Sequence, residues 1–174
     1  MTYIGIDPGL SGAIARIMPN GDVCIVDVPT RTVDKKGKTK SGKNKTQNVY
    51  DVPGMVSIFE GFAHDYGTNN IHLFIEKSQP MPDQGVVSVF GYGKGYGIYL
   101  GIFAALKIPY TEIHPMTWRK IVMRDMPREK DASIIRAKQL YPNADITLKR
   151  HHGRSEALLI AHYGKITTGG QNCG

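Results

Sequence analysis

A chain of 174 residues with 41% hydrophobic side chains and a net charge of +7 is long enough to bury one substantial core and short for two, so one domain spanning residues 1–174 is expected. Its two cysteines, Cys24 and Cys173, are too few and too far apart for a disulfide framework or a metal cluster, which suits a reducing compartment. No apolar run approaches the roughly 20 residues that cross a bilayer, and the chain opens on a strand pattern rather than a leader, so a soluble cytoplasmic protein without a membrane partner is expected.

In chain order, "YIGIDPG", "GAIARI" and "DVCIVDVP" read as three short strands in a meander, the first ended by Pro8-Gly9 and the last two joined by the turn "PNGD". The next stretch, "RTVDKKGKTKSGKNKTQN", carries Arg31, Lys35, Lys36, Lys38, Lys40, Lys43 and Lys45 against Asp34 alone. Its composition cannot pack into a core, so residues 31–48 are expected to be a flexible loop with a polyanionic partner. "VYDVPGMVSIFEGFAHDYG" places Val52, Met55, Val56, Phe59 and Phe62 at largely helical spacing, and "IHLFIEK" is a buried strand ending at Glu76. "SQPMPDQGVVSVFGYGKG" reads as a Pro/Gly-rich loop. There follow an apolar helix in "YGIYLGIFAALK", a strand in "IPYTEIHP", a short helix in "TWRKIVM", an amphipathic helix in "EKDASIIRAKQLYP" and a last helix in "GRSEALLIAHYGKI". Three meander strands followed by alternating helix and strand argue for an α/β fold, a mixed sheet with helices on its faces.

Asp7 and Glu76 each end a β-rich apolar run, a setting in which neighbouring strands bring carboxylates to one edge of a sheet. Asp7 before Pro-Gly also fits a turn-starting side chain bonded to its own backbone. Glu76 needs a counter-charge or a metal, because an unpaired ionised group among apolar neighbours is costly. In "KRHHGRSEALLIA", a helix whose first turn runs from Gly153 to Glu156 puts His152 and Glu156, four apart, on one side; the other reading is that Glu156 only offsets the helix dipole. Three carboxylates and a histidine suit Mg²⁺ or Mn²⁺ better than zinc. Two such ions promote phosphodiester cleavage, and the basic segment fits a nucleic-acid substrate.

"YIGIDPGLSGAIA", "FIEKSQPMPDQGVVSVFGYGKGYGIYLGI", "PMTWRK" and "HGRSEALLIA" together resemble, in order, the motifs of the RuvC family of Holliday junction resolvases, particularly its phage and plant chloroplast types. The resemblance implies a ribonuclease H-like mixed five-stranded sheet flanked by helices. It implies a Mg²⁺-dependent endonuclease, with two ions per site, that cuts four-way junction DNA as a homodimer. Residue by residue, it implies that Asp7 bridges the ions, that Glu76 and Glu156 are further ligands, that His152 is a ligand or orients water, and that Lys130 of "EKDAS" is a basic group near the attacked phosphate. Glu156 stands where bacterial members carry aspartate, and the basic segment 31–48 matches no family motif.

For DNA contacts, Gln79, Met81 and Gln84 are expected to reach bases at the crossover. Lys94, Arg119, Lys120, Lys149, Arg150 and Arg154 are candidate phosphate contacts beside the lysines of the basic segment. Trp118 belongs in the core, and Phe90, Tyr92 and Tyr96 are read as residues of close helix or dimer packing. The rival readings are an RNA–DNA hybrid nuclease and a non-catalytic junction-binding protein; a two-domain phosphate-loop ATPase is too large for this length.

Overall fold

The computed structural model describes residues 1–79, 85–129, 131–148 and 150–169. Met81, Gln84, Lys130 and Lys149 lie outside the described residues, so the expectations placed on them concern sequence alone. The elements are β1 (Thr2–Asp7), β2 (Ala13–Ile17), β3 (Val23–Asp27), β4 (Thr30–Lys38), β5 (Asn44–Tyr50), α1 (Val52–Tyr66), β6 (Ile71–Glu76), α2 (Val86–Ala105), β7 (Tyr110–Ile113), α3 (Pro115–Val122), α4 (Ala132–Leu140) and α5 (His152–Thr168). Among the described residues no helix is long and apolar enough to cross a membrane.

The main sheet has five strands in the order β3-β2-β1-β6-β7. β1, β2 and β3 form the expected antiparallel meander, and β6 and β7 join it in parallel, as helical crossovers require. Side chains alternate across the sheet. Ile4 and Ile6 of β1 with Leu73 and Ile75 of β6 face a cluster that includes Met55 and Phe59 of α1 and Tyr99 and Phe103 of α2. Phe74 of β6 and Ala13, Ala15 and Ile17 of β2 face the opposite cluster, built with Trp118 of α3, Ala137 of α4 and the "ALLIA" run of α5.

α5 lies unusually close to this second face. A Cβ at Gly5 would run into the backbone of Ala157 and Ala161, and one at Gly153 into the Ser11 carbonyl and Gly12. Glycine is therefore required at both positions, because the helix backbone itself occupies the space a side chain would take.

Two expectations about local structure change. The basic segment is not a loop: β4 and β5 pair antiparallel from Thr30↔Tyr50 to Lys38↔Asn44, with an irregularity between Lys35 and Lys38, and form a separate two-stranded sheet. Thr30, Thr32, Val33, Thr46 and Val49 supply the β-propensity that the lysines concealed. The second difference is α2, which begins at Val86, so that the glycine-rich "VVSVFGYGKG" is helical. Tyr50 explains part of this, since its ring fills the space beside Gly95 and locks the helix to the end of β5.

Candidate metal-carboxylate site

The alternation that builds the core also places the acids. Asp7 follows Gly5 and Glu76 follows Phe74 on the α5 side of the sheet, and the parallel register ends with Ile6↔Ile75, so Asp7 and Glu76 finish adjacent strands side by side. α5 crosses the same face and delivers Glu156. The first turn of α5 holds no acid, and Glu156 lies just beyond it, outside the range over which the helix dipole acts strongly. Its place is set by the packing of Ala157 to Ala161 rather than by capping.

The three carboxylates feel one another. Burial pushes Asp7 up to about 7 from its usual 3.8, the Gly9 N–H it accepts at 3.2 Å opposes that, and Glu156 and Glu76 add to it by repulsion. Glu76 is also raised, chiefly by burial and then by Glu156, against the hydrogen bond it accepts from Trp118. Tyr50 and Tyr92 are held above the usual tyrosine range by burial first and by Asp7 next.

α3 answers this charge with two consecutive residues. Trp118, fully buried as expected, donates its indole N–H to Glu76 Oε2 at 2.6 Å. Arg119 ion-pairs with Glu156 and lies 4.6 Å from the Trp118 ring centroid. Arg119 is thus a partner of a site carboxylate, where a free phosphate contact was expected. The α3 start is fixed by His114, whose Nδ1 accepts the Met116 N–H at 3.1 Å while its Nε2 bonds the Gln79 side-chain oxygen at 3.0 Å. That geometry makes Nδ1 the acceptor and assigns the ring proton to Nε2. Gln79, exposed, sits beside the site but is held by His114.

Other candidates fall differently. His152 and Glu156 share a helix side without pairing, because His152 Nε2 lies 3.4 Å from Asp131 Oδ1. Arg154, expected among the phosphate contacts, is engaged within the chain: it binds Asp27 through two N–H groups at 2.6 and 2.8 Å and also pairs with Asp145, with only 19% of its side chain exposed. These bonds hold Asp27 below the usual carboxylate range and tie α5 to β3. Lys94 and Lys120 are exposed, as phosphate contacts must be. Phe90 is 74% exposed, so it does not pack within this chain, whereas Tyr96 donates to Glu112.

The donor set is oxygen-only, suited to a hard divalent cation. Among the described residues, however, no three His, Cys, Asp or Glu side chains close tightly around one point, and Glu156 is engaged by Arg119 instead. Three carboxylates brought together in a partly buried setting favour positive charge beside them, which the Arg119 guanidinium supplies in part. Sequence reasoning missed this paired use of Trp118 and Arg119. Their adjacency in "TWRK", directly after a strand running parallel to the Glu76 strand, was the available signal.

Comparison with known proteins supports the architecture. No family model matches the chain. It is 23% identical over 151 residues to the chloroplastic Holliday junction resolvase MOC1 of Chlamydomonas reinhardtii, covering 80% of this chain and 17% of that protein. Two structures of Thermus thermophilus RuvC match along the chain. The one in complex with a Holliday junction substrate has TM-score 0.59, 13% identity and coverage of 97% of each chain. The other has TM-score 0.54, 13% identity and coverage of 94% of this chain and 92% of that one. The chain has the ribonuclease H-like fold of RuvC: a mixed five-stranded sheet with flanking helices, as the motifs implied.

Proposed function

We propose that this chain is a divalent-metal-dependent endonuclease that resolves four-way DNA junctions. The observation that carries the reading is the convergence of Asp7, Glu76 and Glu156 on one face at the end of β1 and β6, where burial first, and repulsion from Glu156 and Glu76 after it, push Asp7 up to about 7. The similarity to a junction resolvase and to RuvC seen with a junction supports the choice of substrate.

In this reading Asp7, Glu76 and Glu156 hold Mg²⁺ or Mn²⁺, two ions per site. Bound, the ions supply Lewis-acid stabilisation of the phosphodiester under attack. Trp118 fixes one oxygen of Glu76 and leaves the other for a cation. Arg119 neutralises Glu156 in the cation-free chain; with Glu156 holding a cation, its guanidinium would be available to the substrate phosphate. Beside Glu156, a cavity of about 860 Å³ carries Lys120, Arg124 and Arg128 next to Met116 and Met123, a surface suited to a DNA strand with its bases unstacked. His152 and Lys130 keep the proposed roles that the resemblance implies, and Gln79, Met81 and Gln84 the base contacts proposed from their side-chain chemistry.

The junction is two-fold symmetric, and an isologous dimer matches that symmetry. α2 presents Val86, 84% exposed, on the same side as Gly93, Gly97 and Gly101, beside whose Cβ positions no atom of the described residues lies within 4 Å. We place the contact between copies on that stripe.

The test is cleavage of a synthetic four-way junction against linear duplex, flap and RNA–DNA hybrid substrates in Mg²⁺. Symmetric paired cuts confined to the junction are expected. Preferential cutting of the hybrid would overturn the substrate assignment, and no cutting of any substrate would overturn the enzymatic one.

A further inference from the structure

The β4–β5 hairpin adds nothing to the sheet that carries the carboxylates, yet it holds seven of the chain's cations. Its register sorts them. The pairs Arg31↔Val49, Val33↔Gln47 and Lys35↔Lys45 lie on one face, while Thr32↔Asn48 and Asp34↔Thr46 lie on the other. The first face therefore has three cations and no acid, and the one acid of the segment is turned away. Two lysines directly opposite each other destabilise a hairpin, and a lone two-stranded hairpin is marginal to begin with. A polyanion lying over Lys35 and Lys45 removes that repulsion.

The root of the hairpin is fixed at the carboxylate site. The Tyr50 hydroxyl donates to the Pro8 carbonyl at 2.9 Å, next to Asp7, and the Asp51 N–H donates to the Pro29 carbonyl at 2.9 Å. The cationic face then forms one wall of a groove of about 760 Å³ whose other wall is α2. Arg31 and Lys94 line it from the two sides, and among the described residues no acidic one does.

We propose that this face of the hairpin is a second DNA-binding site that grips a duplex arm as it leaves the catalytic centre. One strand's phosphates run over Arg31 and Lys94 at the root and reach Lys35 and Lys45 further out. The proposal rests on the junction-nuclease reading above. Lys35 and Lys45 stand five residues out from the Thr30–Tyr50 root pair, roughly 17 Å at about 3.3 Å per residue. That distance corresponds to about five base pairs along a duplex arm at about 3.4 Å each.

The experiment measures equilibrium binding of the full chain to four-way junctions and to linear duplex in Ca²⁺, across a salt series. The K35A/K45A variant is compared with K40A/K43A, which removes the same charge at the turn, and with T32A/T46A on the opposite face. K35A/K45A is expected to weaken junction binding at least tenfold at about 0.1 M salt and to reduce the slope of log affinity on log salt by about 2. K40A/K43A is expected to lose no more than about threefold, and T32A/T46A nothing. K35R/K45R, which keeps the charge, is expected to bind as the unaltered chain does, which guards against misfolding of the hairpin. A photocrosslinker at position 45 is expected to mark the arm about five base pairs from the cut, and one at position 46 not to. Equal losses in the two lysine pairs, an unchanged slope, or a change of oligomeric state in K35A/K45A would each overturn the site, the last by showing a second copy on this face. If instead the hairpin effects hold while junction and duplex bind equally, the junction reading fails and the duplex site stands.

Discussion

Trp118 holds Glu76: the indole N–H donates to Oε2 at 2.6 Å from a ring that is fully buried between α3 and the sheet. A hydrogen bond to a charged acceptor contributes about 1.5–3 kcal/mol, and loss of its direction frees the carboxylate to rotate. The same ring supports Arg119, and through it Glu156. Two of the three acids therefore depend on one aromatic side chain.

Trp118→Phe keeps most of the buried volume and removes the donor. It is expected to slow single-turnover junction cleavage at least tenfold while leaving junction affinity within about twofold. Parallel cleavage and gel-shift assays check this. Equal losses in both would mean that the indole serves folding rather than the orientation of Glu76.

Asp7→Asn is expected to abolish cleavage, preserve junction binding and stabilise the cation-free protein. The folded Asp7 titrates at about 7, above its usual 3.8, so between those values the native state binds the extra proton. Its ionisation therefore opposes folding progressively from about pH 4 to pH 7 and fully above that. The stability advantage of the Asn variant should grow over that window and level off beyond it. At about 1.4 kcal/mol per tenfold change in proton affinity, and discounting for partial exposure, the gain is on the order of 2 kcal/mol at pH 8. Thermal melts in EDTA from pH 4 to 8 measure it, and an advantage that shrank with rising pH would contradict the burial of this carboxyl.

The fold and the acids were legible because both follow from alternation. A strand that buries Ile4 and Ile6 on one face must present Gly5 and Asp7 on the other, and the same holds for Phe74 and Glu76. What the sequence did not disclose is pairing between distant charges. Arg119 and Arg154 look alike as cations near the end of a helix or its start, yet one meets Glu156 and the other meets Asp27, 127 residues away. The hairpin was hidden for another reason: charge density masks β-propensity when the strands pack on no core.

Arg154→Ala is expected to cost stability rather than affinity. Its guanidinium is mostly covered, but Asp27 and Asp145 are exposed, so the loss should be about 1 kcal/mol. Since Asp27 is held below its ordinary value, the stabilisation is present above the unfolded carboxylate range and disappears as the pH falls through the folded one. Denaturant melts should therefore separate Arg154→Ala from the unaltered chain at pH 7 and converge on strong acidification. The salt slope of junction binding should not change; a slope reduced by about 1 would restore Arg154 to the DNA interface.

Arg119 and His152 offer the last contrast, between a residue that stands in for a cation and one that stands nearby. Removing Arg119 leaves Glu156 without its counter-charge, so the melting-temperature rise that Mn²⁺ produces should be larger in Arg119→Ala than in the unaltered chain. His152 is engaged with Asp131. His152→Ala should therefore keep the Mn²⁺-induced rise while slowing cleavage by on the order of 100-fold, the scale of a lost proton-handling or water-orienting group. Melts with and without Mn²⁺, beside single-turnover rates, decide between the roles: loss of the rise would make His152 a ligand, and an unchanged rate would leave it holding α5 to α4.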